Sequence, residues 1–133
     1  MENDVVLDSS AVLALLKAER GADQVAQALP GALVSTVNLA EIVSKLHEDG
    51  WPTAFISDVI ERLDLRVISF SVEQAKTAGI MRISTKRLGL SLGDRACLAL
   101  AKERHAAVLT ADGAWCQLAS DLGLRITNIR QPI

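Results

Sequence analysis

Aromatic residues are nearly absent. The 133-residue chain has no Tyr, two Phe and two Trp, 3% in all. That excludes a base-stacking platform of the kind that grips single-stranded nucleic acid without sequence preference, and it predicts an aliphatic core. Two cysteines, Cys97 and Cys116, are too few for a disulfide framework. Both fall in apolar, helical surroundings and are expected as reduced core thiols. No Cys/His spacing suggests zinc. No apolar run approaches the roughly 18 residues of a membrane span, so no membrane partner is expected. The start, Met1-Glu2-Asn3-Asp4, lacks the basic and apolar regions of a signal peptide, which predicts a cytoplasmic protein. Excess positive charge is missing too: 14 Lys and Arg against 16 Asp and Glu give a net charge of −2. A passive, charge-driven nucleic-acid binder is usually basic, so that class is disfavoured. An enzyme that meets phosphates through a metal is not.

No internal repeat, low-complexity tract or Pro/Gly/Ser-rich linker divides the chain, so one domain over residues 1–133 is expected. Short apolar runs predict strands over 5–7, 32–35, 66–69, 107–110 and 125–129. Helices are predicted over 11–17 (capped by Ser9 or Ser10), 22–28, 54–63, 72 to about 86, 92–104 and 114–122. A further helical stripe of Leu39, Ile42, Val43 and Leu46 ends at Gly50-Trp51-Pro52. Gly89 and Gly93 are read as flanking a loop. Strands alternating with helices predict an α/β fold, a three-layer α/β/α sandwich around a parallel sheet of four to five strands.

Two acids sit just past short apolar strands. Asp8 follows Val5-Val6-Leu7, and Asp112 follows Val108-Leu109-Thr110-Ala111. The carboxyl ends of parallel strands line one edge of a sheet, where ligands bind, and two carboxylates there can share a hard metal ion. Both also have a structural reading as helix caps, although Ser9 and Ser10 are able to cap the first helix without Asp8. Asp94 completes a capping box with Ser91. It also lies above the stripe of Cys97, Leu98 and Ala101, at +3, +4 and +7. An unpaired charge there costs several kcal/mol, so a metal or an Arg partner is expected. Glu41 lies roughly opposite the apolar stripe of its helix and reads as solvated, but its first-turn position lets it lean toward the sheet rim. Thr110 and Asn38 are candidates to orient a carboxylate or a metal-bound water; for Asn38 a helix cap is an equal reading. His47 and His105 near helix C-termini suit the helix dipole and receive no catalytic role. Trp51 and Trp115 are expected to pack. Arg82, Lys86 and Arg87 before Asp94, and Arg95 after it, either guide a phosphate backbone or form a solvated face.

The order Asp8-Ser9-Ser10-Ala11, Asn38-Leu39-Ala40-Glu41, Gly89-Leu90-Ser91-Leu92-Gly93-Asp94-Arg95 and Leu109-Thr110-Ala111-Asp112 resembles the PIN domain over nearly the whole chain. The VapC-type toxins of bacterial and archaeal toxin–antitoxin pairs are the most similar members. The resemblance implies a Mg2+- or Mn2+-dependent endoribonuclease. Asp8, Glu41 and Asp94 match the family's three core acids and Asp112 a fourth present in many members. Ser10 and Thr110 match hydroxyl positions beside the metal. Asp8, Asp94 and Asp112 are the expected metal ligands. The resemblance further implies an RNA substrate, a homodimer and a cognate antitoxin. Two other readings compete. A PIN-like module could hold RNA or protein without cutting. A receiver or haloacid-dehalogenase domain also places an Asp after its first strand. The dehalogenase wants a second Asp where Ser10 stands, and the receiver wants an Asp at the end of the third strand, which reads Val67-Ile68-Ser69-Phe70.

Overall fold

The computed structural model describes residues 3–131. Among them, β1 (Val5–Leu7), β2 (Leu33–Ser35), β3 (Arg66–Ile68), β4 (Ala107–Thr110) and β5 (Ile126–Asn128) form one sheet in the order β3-β2-β1-β4-β5. Every neighbouring pair is parallel. The helices are α1 (Ser9–Leu16), α2 (Ala22–Gln27), α3 (Thr36–Glu48), α4 (Thr53–Arg62), α5 (Val72–Ile80), α6 (Arg82–Thr85), α7 (Leu92–Arg104) and α8 (Ala119–Leu122). Two 3-10 segments, Lys86–Leu88 and Gly113–Leu118, join them.

Side chains alternate across each strand, so one sheet feeds two cores. Leu7, Val34 and Leu109 pack with α1 to α4, while Val6, Leu33 and Val108 pack on the other face with α7, Trp115, Leu118 and Leu122. The expected three layers are thus present. Helix α7 buries six residues in succession, Ala96 to Ala101, so it is apolar on most of its circumference and runs deep. The chain leaves β1 toward β2 and β3, and later continues from β4 toward β5 in the opposite direction. The carboxyl ends of β1 and β4 therefore flank a switch point, where α/β sheets open a crevice. Their register, Leu7 opposite Leu109, makes Asp8 and the segment after Thr110 level neighbours.

Three local expectations are corrected. Asp8, not Ser9 or Ser10, caps α1, because both serine hydroxyls are engaged elsewhere. The helix expected from 72 to about 86 breaks after Ile80. There the Ser84 and Thr85 hydroxyls both donate to the Met81 carbonyl, and Ile80 and Ile83 lie exposed, with no packing to hold a continuous helix. The segment 114–122 is mostly 3-10, started by Asp112 accepting from the nearby Ala114 N–H. Gly93, read as the edge of a loop, is buried in the first turn of α7, within the helix expected over 92–104.

Cys97 is buried and Cys116 half-buried, and both are free thiols. Trp115 is buried and Trp51 packs against Phe55, so both tryptophans serve packing.

Candidate active site

Asp8 is held from β4 on one side and from the first turn of α1 on the other. Its N–H donates to the Leu109 carbonyl at 3.3 Å. Its carboxylate accepts from the Ala11 N–H at 2.9 Å, from the Ser10 hydroxyl at 2.7 Å and from the Thr110 hydroxyl at 2.8 Å. Both hydroxyls are tied back to the β4 exit: the Ala111 N–H donates to Ser10 Oγ at 2.9 Å and the Asp112 N–H to Thr110 Oγ1 at 3.0 Å. Both hydroxyls thus brace the Asp8 carboxylate against the exit of β4. Asp8 is only 4% exposed. Burial holds its carboxyl up at about 6, although the three hydrogen bonds pull downward; the Asp94 charge adds to the rise.

Asp94 closes the capping box at the start of α7: its Oδ2 accepts from the Ser91 N–H at 2.9 Å, and its own N–H donates to Ser91 Oγ at 3.1 Å. Capping thus uses one carboxylate oxygen, and the other has no protein partner among the described residues. Partial burial raises its pKa above the ordinary value. The Ser91 hydrogen bonds oppose that rise and the Glu41 and Asp112 charges add to it. Asp112 repeats the pattern, with one oxygen capping through Ala114 at 3.1 Å.

Glu41 is not a solvated glutamate. Its Oε1 accepts from Ser9 Oγ at 2.5 Å and from Asn38 Nδ2 at 2.9 Å. Asn38 is 1% exposed and also donates to the Gly93 carbonyl at 3.0 Å; the cap of α3 is Ser35. The Asn38–Glu41 bond is an i,i+3 pair, but the contacts to Ser9 and Gly93 bridge 32 and 55 residues of sequence, which no helical periodicity encodes.

All four acids line one cavity of about 650 Å³ between α1 and α3, with Ser9, Ser10, Leu13, Ser44, Lys45, Glu48 and Trp115 among the other walls. The Lys17–Asp49 ion pair ties the C-terminal ends of α1 and α3 together. Among the described residues no cationic side chain forms an ion pair with any of the four acids. The donor set, hard carboxylate and hydroxyl oxygens without a cation, fits magnesium or manganese and suits neither zinc nor copper. No three His, Cys, Asp or Glu side chains among the described residues are gathered tightly enough to enclose a bare cation.

A PIN domain family model matches residues 5–120. The chain belongs to the PIN domain family. Its fold is also that of solved toxin–antitoxin structures. A complex from Klebsiella pneumoniae aligns with TM-score 0.75 at 18% identity, over 97% of this chain and all of that one. VapBC-1 from nontypeable Haemophilus influenzae aligns at 0.72 and 19%, over 96% and 98%. VapC20 from Mycobacterium tuberculosis, a sarcin–ricin-loop-cleaving toxin, aligns at 0.72 and 16%, over 96% and 100%. At these identities the likeness establishes fold. A comparison with curated proteins finds no match.

None of the basic residues Arg82, Lys86, Arg87 and Arg95 of this PIN domain lines the cavity. The Arg95 guanidinium donates to the Ala78 carbonyl at 2.9 Å and pins α7 to α5. Arg87 reaches Gln117 on the 3-10 segment after Asp112. The cation on the cavity wall is Lys45, one helical turn beyond Glu41, and nothing in the apolar stripe of α3 points to it.

Proposed function

We propose that this chain, as one nuclease domain over residues 1–133, is a metal-dependent endoribonuclease, the toxin of a type II toxin–antitoxin pair. The observation that supports it most directly is the convergence of Asp8, Glu41, Asp94 and Asp112 on one cavity with, among the described residues, no cationic side chain paired to any of them. Uncompensated carboxylates at close quarters repel, and a divalent ion relieves that cost. Asp8, Asp94 and Asp112 are the proposed ligands. Magnesium keeps several of its waters and need not touch every acid, so a set too open to enclose a bare cation is compatible with it. When bound, the ion supplies an acidified water for attack on phosphorus and positive charge for the phosphate oxygens. The chain's own contribution is positional. Ser10 and Thr110 fix the Asp8 carboxylate, Ser9 and Asn38 fix Glu41, and Asp94 and Asp112 each keep one oxygen without a protein partner among the described residues.

Incubation of purified protein with total RNA and Mg2+, followed by mapping of product ends, tests this. Cleavage without 2′,3′-cyclic phosphate is expected, because no histidine lines the cavity to drive attack by a 2′-hydroxyl. Cyclic ends would refute the hydrolytic route, and no product at all would favour a PIN-like module that binds without cutting. The RNA substrate, the cognate antitoxin and the homodimer rest on the family and on the likeness to toxin–antitoxin complexes. A cytoplasmic site of action goes with an RNA target; among the described residues no helix is long and apolar enough to cross a membrane.

Lys45 is proposed as the inner contact for the RNA backbone, with Arg82, Lys86 and Arg87 as outer ones. Replacing Lys45 by Ala should raise KM, leave kcat unchanged and reduce the salt slope of RNA binding by about 0.7, the share of one phosphate on a single strand. The pair Arg82→Ala and Lys86→Ala should have the smaller effect. Binding titrations across salt concentrations decide; an unchanged slope for Lys45→Ala removes it from the RNA path.

A further inference from the structure

The first turn of α7 has a glycine where the helix itself gains nothing from one. Gly93 is the second residue of α7 and is buried. Its φ is not in the left-handed region. In such a backbone Ala is favoured over Gly by about 1 kcal/mol, so the reason for glycine lies outside the helix. A Cβ built on Gly93 would stand 2.5 Å from Cδ and 2.6 Å from Oε1 of Glu41, and closer still to Oε2. Those are its three nearest neighbours, and all belong to one carboxylate. Elsewhere, a Cβ on Gly21 would meet the Ile129 backbone and one on Gly113 the Asn128 amide. Of the glycines, only Gly93 would have its Cβ against an acid of the cavity.

The same three helices close around this point. Ser9 of α1 and Asn38 of α3 both donate to Glu41 Oε1, and Asn38 also donates to the Gly93 carbonyl of α7. Asp94, the next residue, feels the Glu41 charge. We propose that Gly93 is a positioning residue: the missing side chain leaves the notch that seats the Glu41 carboxylate beside Asp94. Close approach is one of the few uses for which only glycine serves. The atoms in the way are the far end of a flexible side chain, so a methyl at position 93 displaces the acid and leaves the helix where it is.

The inference rests on the nuclease reading for its consequence, not for its geometry. The test is therefore double. In a crystal structure of Gly93→Ala, Glu41 should have left Ser9 and Asn38 with α7 unmoved, and the melting temperature should equal or exceed that of the parent. Calorimetric titration with Mg2+ alone should show affinity lowered about 10–100-fold, the usual loss when a supporting partner of a metal site goes, with kcat lowered as well. In Gly93→Ala/Glu41→Asp the carboxylate is shorter by one methylene, and part of the Mg2+ affinity lost in Gly93→Ala should return. If Glu41 stays seated and α7 shifts instead, or if the melting temperature falls with no recovery in the double variant, the positioning role is wrong. A parent protein that neither binds Mg2+ nor cuts RNA would sink the nuclease reading, and the crystal structure would still decide on Gly93.

Discussion

Replacing Asp8 by asparagine is expected to abolish RNA cleavage and to make the metal-free protein more stable at neutral pH. Asn is nearly isosteric and is among the best N-caps, so α1 keeps its start. What disappears is a buried charge. The Asp8 carboxyl, normally at 3.8, titrates at about 6 in the folded chain. The folded state thus holds this proton more tightly than the unfolded one. Its contribution to stability is fully present below pH 4 and is lost as pH rises through about 6. Above that the buried carboxylate costs on the order of 3 kcal/mol, from the 1.36 kcal/mol that each unit represents. Asp94 is raised too, but it is common to both proteins and cancels in the comparison. Urea unfolding of the two apoproteins at pH 4 and pH 7.5 measures the effect. Asp8→Asn should gain on wild type across that window, by up to several degrees in melting temperature. A stability difference that ignores pH would mean that Asp8 is not the uncompensated charge its surroundings make it.

Removal of metal carries the second large effect. Excess EDTA should reduce turnover to the level of the reagent blank, and Mg2+ or Mn2+ should restore it. The same ions should raise the unfolding midpoint of the wild-type protein, since a ligand bound only by the native state stabilises by about 2.7 kcal/mol at one hundred times its Kd. The origin is the cost of the charges at Asp8 and Asp94, which burial sets first and the neighbouring acids increase. Asp8→Asn should lose most of this metal-dependent shift. Differential scanning calorimetry with and without Mg2+ separates the two proteins. Undiminished cleavage in EDTA would contradict the proposed chemistry directly.

Strands, and the acids that directly follow them, were legible in the sequence because both are local signals. The bounds of α7 and β4 agree with the periodicity, and Asp8 and Asp112 stand where strand gives way to helix. The remainder of the site comes from contacts between distant segments. Glu41 lies away from the buried pair Ile42 and Leu46, so its helix alone predicts solvent. Only the approach of Ser9 and Gly93 turns it inward. Lys45 escaped for the same reason. Gly93 fell inside the predicted helix over 92–104, but the carboxylate pressed on it is a purely tertiary contact. Arg95 shows the opposite case: a cation beside an acid in sequence is directed across to a backbone carbonyl of α5.

Asp8, Asp94 and Asp112 each begin a helical segment with a carboxylate oxygen. Where the coil winds up and where the negative charge sits are therefore a single degree of freedom. Sliding any of these starts by one residue would carry its acid about 1.5 Å along the axis and some 100° around it. The architecture thus fixes reactive geometry by the same bonds that decide where winding begins, and fraying at a helix tip would register as blunted chemistry before it registered as unfolding.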